Sequence, residues 1–242
     1  MIKRIAMWSG PRNLSTAMMY SFAERADCSV WDEPFYAAYL AQTGLDHPMR
    51  AAVLAAGEQE PDAVAARCVG PVPEDKPVFY LKLMTHHMLL DWSMDWITGA
   101  TNVFLIRHPA RVVASYVRKR EAPTLEDLGF HQQLRIYDHA CAQGQNPVVI
   151  DSADILADAP AALAALCTAL EMSFDPGMLS WPAGPRTFDG AWAPHWYGAV
   201  HRSTGFAKPD PALPELAGPY RALAKAALPA YEALSTRRLR TG

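Results

Sequence analysis

Lys3-Arg4-Ile5-Ala6-Met7-Trp8, then Ser9-Gly10-Pro11-Arg12-Asn13-Leu14-Ser15-Thr16, then Ala17-Met18-Met19-Tyr20-Ser21-Phe22-Ala23, is the stretch that decides the fold. A short apolar run passes through a small, polar turn marked by Gly10-Pro11 into a helical pattern, which predicts strand, loop and helix in that order. Such a junction aims backbone N–H groups and a helix N-terminus at one spot, and that spot favours an anion. Arg12 adds a guanidinium able to fork onto phosphate or sulfate oxygens, while Ser15 and Thr16 bring hydroxyl donors into the first helical turn. The alternative is a Ser/Asn cap that merely starts a helix after a strand. The arrangement G-x-x-x-x-G-K-[ST] is absent, since no Lys sits in the turn and Leu14 stands where a second Gly would be expected. Leu14 crowds a left-handed backbone whereas Asn13 tolerates one, so the expectation is a turn shifted onto Asn13.

Working outward, residues 28–34 read as a second strand that ends in Asp32, Glu33 and a Pro. Residues 35–40 form a helical turn, Asp46-His47-Pro48 breaks it, and the Ala-rich residues 49–69 read as two short helices. Residues 78–84 are a buried strand carrying Lys82, which is either a snorkelling edge residue or a cation delivered to the anion site. His86 and His87 close that strand and open a helical pattern over 88–97, with Trp92 and Trp96 on one face as core residues. Residues 101–107 are the clearest strand. Pro109 then starts a helix that presents Arg111, Ser115 and Arg118 on one face, beginning beside Arg107. A solvated basic face accounts for Arg111 and Arg118, but not for Arg107 at the end of an apolar run.

A cap at Pro123–Asp127 leads into a helix from about Leu128 towards Cys141; residues 147–151 are a further strand and 159–170 a helix. Strands alternating with helices predict an α/β fold, with a central parallel sheet flanked by helices. Residues 182–206 dissolve into Trp, Pro, Gly and Tyr, a loop-rich composition suited to covering a site. Residues 211–240 close the chain as an amphipathic helix with a basic tail of Arg237, Arg238 and Arg240.

The 242 residues fit one domain spanning 1–242. A net charge of −3 and a pI near 6.2 give no global basic field, which argues against a nucleic-acid partner. Cys28, Cys68, Cys141 and Cys167 lie far apart without a C-x-x-C pair, so reduced, buried thiols are expected and no metal site is. The first residues enter the strand with no apolar leader, and no stretch suits membrane insertion. A cytoplasmic chain, monomer or homodimer, is the expectation.

Two anion-suited stations thus fall on one sheet edge: the Gly10–Thr16 loop, and Arg107 with Ser115 eight residues on. The pair resembles the P-loop sulfotransferases, which draw a sulfuryl group from 3′-phosphoadenosine 5′-phosphosulfate. Pro11-Arg12-Asn13-Leu14-Ser15-Thr16 is similar to that family's P-[KR]-[ST]-G-T-[ST] loop for the 5′-phosphosulfate. Arg107 and Ser115 match its 3′-phosphate element in type and spacing. More narrowly, residues 7–13 and Asp32-Glu33-Pro34-Phe35-Tyr36 look like a bacterial subgroup labelled sulfotransferase-like or branched-chain aminotransferase-like, although no pyridoxal-phosphate lysine context is recognisable.

The resemblance implies a three-layer P-loop-like fold and transfer to a hydroxyl or amine of a small-molecule acceptor, with no metal required. It implies Gly10, Pro11, Arg12, Asn13, Leu14, Ser15, Thr16, Arg107 and Ser115 as donor contacts, and Arg202 and Ser203 in place of the family's late Gly-rich loop. Arg12 and Lys82 would stabilise charge on the transferring group. Glu33 would be the base, with His86 or His87 as runner-up or as a structural cap. Two other readings compete: a nucleotide-binding module without catalysis, and an ATP-dependent small-molecule kinase using Asp32 and Asp151 for Mg²⁺.

Overall fold

The strands are β1 (Lys3–Ser9), β2 (Cys28–Asp32), β3 (Val78–Met84), β4 (Thr101–Ile106) and β5 (Val148–Asp151) in a computed structural model that describes residues 2–118, 122–209 and 212–240. Among these residues they form a five-stranded sheet of order β2-β3-β1-β4-β5, and every neighbouring pair is parallel. All five C-terminal ends therefore meet one edge, where open α/β sheets take their ligands.

Helices α1 (Ser15–Ala23), α2 (Tyr36–Thr43), α3 (Arg50–Ala56) and α4 (Pro61–Val69) precede β3. After β4 come α5 (Pro109–Tyr116), α6 (Leu125–Leu128) and α7 (Phe130–Ala142). Beyond β5 come α8 (Ser152–Ala157), α9 (Ala159–Ala169), α10 (Ala193–Trp196) and α11 (Gly218–Ser235). Strand pleating divides the side chains between two faces. Ile5, Met7 and Leu105 join α1, α2 and α9 in one core, and Ala6, Trp8 and Phe104 join α4 and α7 in another. Three layers follow from that alternation.

Several expectations are corrected. Lys82 is not an edge residue, because β3 pairs with β2 and β1 on its two sides. Residues 88–97 form no α-helix; 3₁₀ turns at Thr85–His87 and Asp95–Gly99 flank irregular chain whose Met88 carbonyl accepts a bond from Arg135 Nη2 at 2.8 Å. Trp92 and Trp96 are only partly buried, and Trp96 packs against Trp8 with ring centroids 5.7 Å apart. The helix expected from about Leu128 runs as α7 from Phe130, and Gly129 at φ +71° separates it from the unexpected short α6, which starts after a Thr124–Asp127 capping box. The short helix α8 was not anticipated; Asp151 caps it by accepting the Ala153 N–H at 2.8 Å. The final helix begins at Gly218 rather than 211, and Pro211 lies outside the described residues. Cys141 is exposed, while Cys28, Cys68 and Cys167 are buried free thiols. Among the described residues no helix is long and apolar enough to cross a membrane.

Candidate active site

β1 ends at Ser9 and the chain reverses into α1 through a loop with two left-handed residues, Arg12 at φ 62° and Leu14 at φ 73°. The turn has therefore not shifted onto Asn13. Its side chain instead donates from Nδ2 to the Leu105 carbonyl at 3.1 Å, fastening the loop to the end of β4. Left-handed backbone costs a residue with a Cβ about 1–2 kcal/mol, so neighbours must hold it. Arg107 Nη1 donates to the Arg12 carbonyl at 2.8 Å, and Arg12 Nε donates to Ser115 Oγ on α5 at 2.9 Å. Gln133 of α7, which no sequence signal marked, donates from Nε2 to the carbonyls of Trp8 and Leu105 at 3.1 and 3.0 Å.

The Gly10–Thr16 loop and the Arg107–Ser115 pair are thus one structure. Burial, and then the like charges of Arg107 and Arg118, lower the pKa of Arg12, so positive charge is concentrated here. Leu14 is the N-cap residue of α1 and supplies no side-chain cap to the first-turn amides.

A cavity of about 320 Å³ opens at this edge. Pro11, Arg12, Asn13, Leu14, Ser15, Thr16, Arg107 and Ser115 line it on one side; Glu33, Lys82, His86 and His87 line it on another. Trp196, Tyr197, Val200 and Ser203 come from the covering segment. Gly10 is not in the lining. A Cβ at Gly10 would stand 2.5 Å from the carbonyl oxygen of Leu128, so the glycine lets the loop press against the end of α6. Arg202 is exposed and also absent from the lining.

The acids at the end of β2 meet Lys82 of β3. Lys82 Nζ donates to Asp32 Oδ1 at 2.9 Å, to Glu33 Oε1, and to the Tyr197 hydroxyl at 2.8 Å. An ammonium has three protons, and all three point into this cluster. Burial works against the Lys82 charge, but Asp32 and Glu33 overcome it and hold its pKa above the usual lysine value. Two carboxylates share one cation, and Glu33 bears the penalty: burial first, then Asp32, raise its pKa against the pull of Lys82.

The tandem histidines sit on the 3₁₀ turn after β3. His87 is buried and its ring is stacked between Tyr36 and Tyr39, at centroid distances of 4.5 and 4.9 Å. Burial, then the proximity of His86, His47 and Lys82, push its pKa well below the usual histidine value. His47, not marked as a site residue by the sequence, lines the cavity and pairs through Nδ1 with the Tyr36 hydroxyl at 3.0 Å. Asp151, an expected Mg²⁺ ligand under the kinase reading, caps α8 and accepts the Tyr231 hydroxyl at 2.7 Å, away from the cavity lining.

A family model described as "Sulfotransferase domain" matches residues 3–238. Two Arabidopsis thaliana proteins named branched-chain-amino-acid aminotransferase-like protein 2 and protein 1 are 37% and 38% identical over 206 and 205 residues. Each match covers 85% of this chain, which spans 36% and 37% of the length of those relatives. Among solved structures, the sulfotransferase domain from the curacin biosynthetic pathway superposes with TM-score 0.58 at 14% identity, covering 99% of both chains. The sulfotransferase domain from the Synechococcus PCC 7002 olefin synthase superposes with TM-score 0.54 at 17% identity, covering 93% of this chain and 94% of that one. At these identities the likeness to solved structures is one of fold.

Proposed function

Because the chain belongs to the sulfotransferase domain family, we propose that it moves a sulfuryl group from 3′-phosphoadenosine 5′-phosphosulfate to a hydroxyl of a small-molecule acceptor. The observation that carries this reading is the shared cavity: the uncapped first turn of α1, Arg12 and Arg107 line it together with Glu33. The residues fit the donor's chemistry. An anionic group at the loop would meet first-turn amides and the Arg12 guanidinium, and Arg107 with Ser115 would take a second phosphate.

Sulfuryl transfer, like phosphoryl transfer, asks mainly for positioning and for stabilisation of spread negative charge. Arg12 and the amides of α1 supply that stabilisation at the leaving 5′-phosphate oxygen. Lys82, whose protons are held by Asp32, Glu33 and Tyr197, serves to position Glu33. Glu33 removes the acceptor's proton as the acceptor oxygen bonds to sulfur and the bridging S–O bond to the 5′-phosphate breaks. A carboxyl held above its ordinary pKa suits a base working near neutral pH. His87, kept neutral and stacked between two tyrosines, holds the floor of the acceptor side.

The name of the plant relatives belongs to chains of which this one spans just over a third, 36% and 37%. The test is thermal unfolding with adenosine 3′,5′-bisphosphate, with ATP plus Mg²⁺ and with AMP, followed by transfer of ³⁵S from the labelled donor to a panel of hydroxyl compounds. Stabilisation by the bisphosphate with label transfer is the expected result. Stabilisation only by ATP with Mg²⁺ would overturn the reading in favour of a kinase.

A further inference from the structure

The covering segment does more than close the cavity. Its Tyr197 hydroxyl is fully engaged: it accepts from Lys82 Nζ at 2.8 Å and from Trp192 Nε1 at 2.9 Å, and donates its one proton to Asp32, with Oδ2 at 2.7 Å. Asp32 takes a second contact from the same segment, the Gly190 N–H to Oδ2 at 3.1 Å. Between them Tyr197 and Gly190 satisfy much of Asp32's demand for donors, so Lys82 need not turn wholly towards it.

Glu33 shows the result. Its Oε1 receives Lys82 and lies 3.3 Å from the Tyr197 hydroxyl, whereas its hydrogen bonds to the described residues leave Oε2 out, and Glu33 lines the cavity. The left-handed backbone of Glu33, φ 40°, turns the side chain away from the run of β2. Its amide is fixed by donation to the Lys82 carbonyl at 2.9 Å.

We infer that Tyr197 is a positioning residue: by occupying Asp32 and one proton of Lys82 from the covering segment, it keeps Lys82 on Oε1 of Glu33 and leaves Oε2 to face the acceptor. This rests on the reading of Glu33 as the base. It ties competence of the base to the seating of the covering segment, since without Tyr197 the ammonium would move towards Asp32 and Glu33 would lose its fixed orientation. The groups facing Glu33 are Asp32 beside it on β2, Lys82 on β3, Tyr197 and, from α2, Tyr36, whose own pKa is raised by burial and then by the Glu33 charge.

The inference is tested by following the ¹³C shift of Glu33's side-chain carboxyl, assigned by its loss in E33Q, through a pH titration of the full chain. Loss of the Tyr197 hydroxyl withdraws Lys82 from Glu33, so Y197F is expected to move the Glu33 midpoint to higher pH. D32N removes the neighbouring negative charge and is expected to move it to lower pH. Y20F is the structural control: it deletes a hydroxyl that bonds Asp189 in the same segment, at 2.8 Å to Oδ2, and should leave the midpoint in place. In ³⁵S transfer, Y197F should lower kcat about tenfold or more while leaving the KM for donor unchanged.

An unmoved midpoint in folded Y197F would overturn the inference. If Y197F does not fold unaided, it is titrated with trimethylamine N-oxide present, which favours the compact state, and an unmoved midpoint there is equally fatal. Full transfer activity in E33Q would instead sink the reading of Glu33 as base, so the two failures are told apart.

Discussion

Lys82 Nζ and Asp32 Oδ1 stand 2.9 Å apart with both side chains about 1% exposed, joining the C-terminal ends of the outer strand β2 and its neighbour β3 beside the cavity. A buried cation between two buried carboxylates is a poor source of net stability, but removing it leaves uncompensated charge.

Lys82→Met is therefore expected to cost about 3–5 kcal/mol near neutral pH, measured by denaturant unfolding. Glu33's pKa is raised in the folded chain, so that chain binds the proton more tightly than the unfolded one, and stability falls as pH rises through the raised midpoint. Without Lys82 that fall should steepen. The deficit of the variant should shrink on acidification, and a deficit independent of pH would contradict the charge argument.

Arg107→Ala removes both the hold on the Arg12 carbonyl and a cation of the cavity. For the intact chain, adenosine 3′,5′-bisphosphate at a hundred times its Kd should add about 2.7 kcal/mol, or a Tm rise of roughly 5–10 °C. The variant should show almost none of that rise. Ser115→Ala, which strips the acceptor from Arg12 Nε, should weaken binding by about 1 kcal/mol, or roughly fivefold.

Gly10→Ala tests a role in packing. The added Cβ would meet the Leu128 carbonyl at 2.5 Å, and backbone does not yield as a side-chain tip does. A destabilisation of about 1–3 kcal/mol is expected, read as a lowered Tm in the absence of ligand. An unchanged Tm with lost ligand response would instead mark Gly10 as a direct contact.

Glu33→Gln should reduce transfer by about 10²–10⁴-fold, the range ascribed to a positioned base. His86→Ala and His87→Ala should retain far more of kcat. If the largest loss fell on His86→Ala, the base would be the histidine.

His87 should also make itself visible in the pH dependence of stability. Its imidazole is held well below the usual histidine pKa, so below about pH 6.5 the unfolded chain takes up a proton that the folded chain refuses. Stability should fall on acidification through that window, and His87→Phe should flatten this part of the profile.

The fold was largely legible because each strand carries its own signal: apolar runs bounded by Pro, Gly and charged residues, alternating with helices. Lys3–Ser9 and Val78–Met84 can be read from residue order alone. Residues 88–97 misled because two tryptophans four apart imitate a helical face, whereas Trp96 reaches back across the layer to Trp8 and Phe35. The Gly10–Thr16 loop was legible as a strand-to-helix junction but not in its conformation. Local preference places a left-handed residue at Asn13, and tertiary hydrogen bonds place it at Arg12 and Leu14 instead. Tyr197 could be assigned to a covering segment, yet its bond to Lys82 joins residues 115 positions apart, a distance over which a single sequence carries no pairing signal. Gln133 had no signal at all, since a glutamine in a helix looks the same whether it faces solvent or two strand ends.

The left-handed turns at Arg12 and Leu14 bear on how the proposed donor would be captured. A glycine-rich loop is supple and has to be frozen by whatever it wraps, which subtracts from affinity. Here Leu14 is held in a left-handed conformation that leucine disfavours, and bonds from Arg107 and Asn13 fix the loop against the end of β4 beforehand. The cradle is thus a mould and not a glove. Its entropic ordering is completed during folding, so a ligand of the right charge spacing meets a finished surface, and one of the wrong spacing finds little give in which to fit.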